Sequence, residues 1–198
     1  MSNPATTVMN ENIGSGQTPL INSTYLAMFI FIGAELMFFS GLTGAFLLLK
    51  ISAANWPPLG QPTLPVFVTG INTVLLLTSG YFMSRAWSIP EKRNLLLRYM
   101  LTASILGGVF LAIQGYEWFR LVGFGLTLQS SVYGGIFYLL IGAHALHVAG
   151  GLIWLLTITA LSIKGTVYPN ELNKLKACAI YWFFVVLLWP FLYILVYF

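Results

Sequence analysis

The sequence predicts an all-α membrane protein, a bundle of five transmembrane helices with its N-terminus cytoplasmic and its C-terminus outside. Three observations predict it. The chain of 198 residues is 58% hydrophobic and 7% charged and contains no aspartate, whereas a soluble domain carries about 25% charged residues. Five apolar stretches are each long enough to cross the hydrocarbon core as a helix. The nine lysines and arginines fall unevenly on the segments between those stretches.

Residues 1–22 are rich in Asn, Thr, Ser and Gly and lack the basic start and apolar core of a cleavable signal, so they read as a polar tail. Residues 23–198 read as a single transmembrane domain without an internal repeat. The first span, about 24–49, carries Gly33, Ser40, Gly41, Gly44 and Ala45, small residues that permit close helix contact in lipid. The second, about 65–87, follows the turn-forming NWPPLGQPTLP, and the third, about 95–118, follows SIPEKRN. The fourth, about 132–162, follows GFGLTLQSS and is again small around Gly142, Ala143, Ala145, Ala149, Gly150 and Gly151. The fifth, about 177–198, follows KGTVYPNELNKLK and contains Pro190, whose ring removes a backbone hydrogen bond and is expected to bend the helix. Tyr25, Trp56, Trp87, Trp118, Tyr181 and Tyr197 lie near span ends, where amphipathic rings suit the headgroup layer.

An odd number of spans puts the two termini on opposite sides. One side then carries Arg85, Lys92, Arg93, Arg98, Lys164, Lys174 and Lys176, and the other only Lys50 and Arg120. The basic excess marks the cytoplasmic side. It also accounts for the formal net charge of +4 without nucleic acid, because no basic run follows a phosphate backbone. The single cysteine, Cys178, excludes an internal disulfide, a CxxC redox pair and a CxxCH haem attachment. Phosphate-binding loops and nucleophilic triads are absent from the sequence.

In so apolar a chain the informative residues are the polar ones inside the spans. Glu35 lies near the middle of the first, where an ionised carboxylate is expensive and a functional role is the default hypothesis. A protonated glutamate that merely bonds a neighbouring helix is the competing reading. His144 and His147, the only histidines, sit three residues apart in GAHALHVAGG. His147 is near the centre of the fourth span and matches Glu35 in depth, so Glu35–His147 is the expected interhelical pair. His144 lies one turn outward on the same face, about 4.5 Å along the axis. A zinc site needs three or four ligands and a di-iron bundle needs paired Glu-x-x-His motifs, so two histidines and one glutamate argue against a metal. Glu117 and Arg120, at the outer end of the third span, have the spacing of a surface pair.

Five colinear blocks resemble subunit III of the haem–copper respiratory oxidases, in its five-helix bacterial form. GAELMFFSGLTGAF is similar to that family's Glu-bearing helix, and INTVLLLTSG to its L-N-T-x-x-L-x-x-S-G helix. LGGVFLAIQGYEW resembles L-G-x-x-F-x-x-x-Q-x-x-E-[YW], and SSVYGGIFYLLIGAHALHVAGGLI resembles YGxxFxxxTGxHxxHVxxG. IYWFFVVLLWPFLY resembles YWHFVDxxWxxLY, with Phe183 and Val186 standing where the family usually has His and Asp. Ile141 likewise replaces the usual Thr.

The resemblance implies a subunit without catalytic residues or a redox centre of its own, haem and copper belonging to partner subunits. It implies packing on the haem-bearing subunit I and other oxidase subunits, structural phospholipids between helices, and support of proton uptake. It makes Glu35 the family's intramembrane carboxyl, His144 and His147 its H-x-x-H pair, and Glu117 its Q-x-x-E glutamate. The implied setting is the bacterial plasma membrane, with cytochrome c preferred to quinol as electron donor. Accessory subunits of nitric oxide reductase systems form an alternative. A small proton-coupled transporter is a more remote one, since it calls for inverted repeats and broken helices.

Overall fold

The computed structural model describes residues 23–164 and 172–198. These form five helices, α1 (Ser23–Ser52), α2 (Val66–Ser88), α3 (Arg93–Gly123), α4 (Val132–Ile163) and α5 (Leu172–Tyr197), with no strand among the described residues. At 1.5 Å per residue they are about 35–48 Å long, enough to cross a bilayer. The polar tail assigned to residues 1–22 lies outside the described residues, as does part of the α4–α5 connection.

Two helices exceed their predicted spans by more than a turn at one end. α3 continues to Gly123, and the chain turns at Gly125 (φ 89°), a backbone conformation that suits glycine. α5 begins at Leu172 rather than near residue 177. Apolarity marks where a helix enters hydrocarbon, whereas the backbone ladder continues into the polar turn that carries Lys174 and Lys176. α4 starts on Ser131, whose hydroxyl accepts the Gly134 amide at 3.0 Å. A Cβ at Gly134 would collide with the Thr127 carbonyl, so that turn requires glycine.

α2, α3, α4 and α5 form a ring in which each helix touches the next, α5 closing it against α2. α1 stands outside the ring and touches only α4 and α5. Without water in the bilayer core, a buried indole N–H gains most from a protein acceptor; Trp118 Nε1 has none, but both indoles of α5 find one. Trp182 Nε1 donates to Ser79 Oγ at 3.0 Å, and Trp189 Nε1 donates to Thr73 Oγ1 at 2.9 Å. Those hydroxyls pass the bonding on, Ser79 to the Ala103 carbonyl and Thr73 to the Thr69 carbonyl. Val186 lies against Gly80 and the Trp182 ring against Gly107, so small residues on α2 and α3 receive large ones from α5. At one end of the bundle, Arg93 Nη2 donates to the Ser162 and Ile163 carbonyls at 3.0 Å each and caps α4. At the other end, Trp56 of the α1–α2 connection sits between Phe46 and Tyr133. These are called below the Arg93 end and the Lys50 end. Large apolar side chains such as Phe29, Met37, Phe67, Phe119 and Leu146 are exposed all round, a surface suited to lipid.

Two expectations need correction. Tyr181 and Tyr197 do not turn their rings outward but are buried, at 7% and 8% exposure, and only Tyr197 stands at a helix end. The early start of α5 carries Tyr181 about 14 Å along the helix, and Tyr197 turns its hydroxyl towards Gln114 of α3. The small residues of α1 do not serve packing within this chain: a Cβ at Gly33, Gly41 or Gly44 would meet nothing within 4 Å. α1 has too few neighbours to cover them. Beside the α4 histidines, Gly151 is close-packed against Tyr181 and Trp182, while Gly150 is open.

This packing predicts opposite outcomes for one substitution at two sites. Gly107→Leu overpacks the Trp182 site and should cost about 1–3 kcal/mol. Gly41→Leu enters open space and should change the stability of the isolated chain by less than about 1 kcal/mol. Thermal unfolding of the two variants in the same detergent checks the contrast.

Candidate functional site

Glu35 and His147 lie near the midpoints of α1 and α4, and the structure brings them together. His147 Nε2 is 2.8 Å from Glu35 Oε2. Both side chains are about four-fifths buried, with 20% and 17% of their surfaces exposed. Phe39 packs edge-on against the imidazole at 5.0 Å between centroids, and Phe38 stacks at 6.0 Å. Tyr181 of α5 donates its hydroxyl to the His147 carbonyl at 3.3 Å, so three helices meet at this residue.

The other ring nitrogen fixes the chemistry. His147 Nδ1 is 2.6 Å from the Ala143 carbonyl, which can only accept, so Nδ1 carries a hydrogen. One proton then remains for the Nε2···Oε2 contact. It resides on the carboxyl, with Nε2 accepting, or on the ring, with the carboxylate accepting. Either way the pair is neutral as a unit, a form of ionisable group that a membrane interior tolerates. The arrangement can hold one proton and move it over a single hydrogen bond.

His144 does not join this pair. It is fully buried in the ring of helices, stacked on Trp189 at 4.9 Å and met edge-on by Phe110 and Phe39. Neither of its ring nitrogens has a hydrogen-bond partner in the protein. The two histidines therefore point to different neighbours and do not converge on a shared ligand. Among the described residues, no three His, Cys, Asp or Glu side chains gather as metal ligands.

Glu117 and Arg120 do pair, with Nη1 3.0 and 3.2 Å from the two carboxylate oxygens. The pair is less superficial than its spacing suggests. The Glu117 side chain is 6% exposed and that of Arg120 44%. Spacing shows that two residues share a helix face but not which way it looks; Glu117 lies on the buried α3 face with Phe110, Gln114 and Leu121. Phe183 and Val186 sit in apolar contacts, Phe183 beside Trp87 and Val186 on Gly80. Sequence reasoning assigns Tyr181 to the headgroup layer rather than to this site and passes over the amides Asn72 and Gln114. The amides were visible as polar residues inside apolar runs.

Fold and site together define a polytopic helical membrane protein in which an intramembrane glutamate and histidine from separate helices are held as a hydrogen-bonded pair. Compared with known proteins, residues 6–198 match the family model described as cytochrome c oxidase subunit III. The chain therefore belongs to the cytochrome c oxidase subunit III family. A probable cytochrome c oxidase subunit 3 of Nocardia farcinica is 32% identical over 181 residues, covering 89% of this chain and 88% of the relative. The cytochrome c oxidase subunit 3 of Synechocystis sp. is 32% identical over 203 residues, covering 97% and 86%. That of Loxodonta africana is 33% identical over 200 residues, covering 96% and 76%.

The two histidines should respond differently to substitution. His144→Phe preserves the stack on Trp189 and removes two unbonded nitrogens, so it should cost less than about 1.5 kcal/mol. His144→Ala leaves a cavity and should cost about 3 kcal/mol. Unfolding temperatures of the purified variants decide between this packing role and a bonded one.

Proposed function

We propose that this chain serves a proton-pumping cytochrome c oxidase as its non-catalytic subunit III. In this reading it packs on the haem-bearing subunit I and other oxidase subunits, holds phospholipids between its helices and supports proton uptake. The complex reduces oxygen to water, a four-electron reaction coupled to proton translocation. Haem and copper are assigned to partner subunits on the strength of the family. The observation that carries the proton role is the Glu35–His147 contact of 2.8 Å, a neutral pair sharing one proton near mid-membrane.

The chain is placed in the bacterial plasma membrane as one domain over residues 23–198. The Arg93 end, with its seven lysines and arginines, is assigned to the cytoplasm by the basic excess. The Lys50 end is assigned to the outside.

Mild-detergent purification should recover the chain with a haem-bearing partner, visible in the optical spectrum. Recovery without any haem protein would contradict the assignment. Glu35→Gln keeps a hydrogen bond, because the amide donates to His147 Nε2, but it cannot pass the proton. The variant complex should assemble normally and lose activity sooner during turnover, or lose pH dependence. Unchanged turnover and lifetime in reconstituted membranes would leave the pair a packing contact.

For orientation, Lys50→Cys and Lys92→Cys can each be placed in a Cys178→Ser background. An impermeant maleimide added to intact cells should label position 50 and spare position 92. The reverse pattern would invert the topology.

A further inference from the structure

Glu117 lies beside a second group of buried polar side chains, drawn from three helices at the Lys50 end. Asn72 and Thr69 are on neighbouring turns of α2, at 0% and 1% exposure, Gln114 is on α3 at 2%, and Tyr197 is on α5. Their hydrogen bonds form a chain that does not close. Asn72 Nδ2 donates to the Phe110 carbonyl at 3.1 Å and to Gln114 Oε1 at 3.5 Å. Gln114 Nε2 donates to the Tyr197 hydroxyl at 3.4 Å. The last two are long for N–H···O bonds. The Tyr197 hydroxyl also faces Glu117 and lies within reach of a weak contact with Thr69; Asn72 Oδ1 has no protein partner, and Thr69 Oγ1 has none of good hydrogen-bond geometry.

We propose that Thr69, Asn72, Gln114 and Tyr197 enclose a water-binding site within the bundle, reached from the Lys50 end through the pocket beneath the α1–α2 connection. The pocket occupies about 280 Å³ and is lined by Lys50, Trp56, Tyr133 and Tyr197, among others. Tyr197 lines the pocket and accepts from Gln114 of the cluster, so it belongs to both. At roughly 30 Å³ per molecule the pocket has room for several waters.

The chemistry selects water over other small guests. A water molecule donates twice, which suits Asn72 Oδ1 and Thr69 Oγ1, and accepts from a hydroxyl, which suits Tyr197. That gives it the two to four polar partners an internal water requires. An anion would face the Asn72 oxygen and the Glu117 carboxylate. A bare cation would meet only neutral oxygens, because both oxygens of the Glu117 carboxylate are already paired with Arg120. An apolar guest would leave the oxygens without partners in a region where lipid offers none.

Hydroxyl-radical footprinting tests the site in the assembled complex, reconstituted in lipid nanodiscs and irradiated in isotope-labelled water. Bound water generates radicals in place, so Tyr197 should be oxidised several-fold faster than the fully buried Trp182. Equal protection of the two would overturn the proposal. A second measurement uses the sign of a stability change. Thr69→Val should lower the unfolding temperature and Thr69→Ser should not, because valine loses the bond to water. An unchanged or raised temperature in Thr69→Val would show that the hydroxyl had no partner to lose, and would equally overturn the site.

Discussion

The lack of water inside a bilayer is the constraint on which this structure depends. Hydrophobic burial, which assembles soluble domains, gives little preference for helix over lipid when both are apolar. Specific polar bonds and close packing of small on large residues must therefore set the register. The seam between α2 and α5 shows how. Trp182 and Trp189 find Ser79 and Thr73, and between them Val186 fits Gly80. Sliding α5 by one turn would strand both indoles and drive branched side chains into occupied space. α5 holds the central place because it supplies the large residues that α2, α3 and α4 are shaped to receive.

The same constraint explains the form of the Glu35–His147 site. A lone carboxylate or imidazolium would be costly at that depth, whereas a pair sharing one proton carries no net charge. The Ala143 carbonyl fixes the tautomer, so the pair's one mobile proton lies on the Nε2···Oε2 line. The bond that ties α1 to α4 is also one over which a proton can move.

Much of this was legible in the sequence, for reasons that differ by feature. All five helices showed as apolar runs because lipid imposes length and composition directly. Glu35 and His147 could be matched because depth in a membrane is a coordinate that sequence position preserves. Azimuth is not preserved in that way. Nothing in the spacing of Glu117 and Arg120 announced that the glutamate turns inward, or that His144 stacks on Trp189 rather than joining its neighbour. The glycines of α1 looked like packing residues, but whether a glycine is covered depends on which helices touch, and that is decided by the whole bundle. The start of α5 was missed because its first turns are polar and helical at once.

The peripheral position of α1 has a consequence for how the chain comes together. Among the described helices it contacts α4 and α5, the last to be made, and not α2, to which it is directly joined. The helix synthesised first is therefore the last to find its seat. Until the C-terminal half has been inserted, α1 drifts in lipid on a tether of about a dozen residues, its glutamate without a base to share a proton.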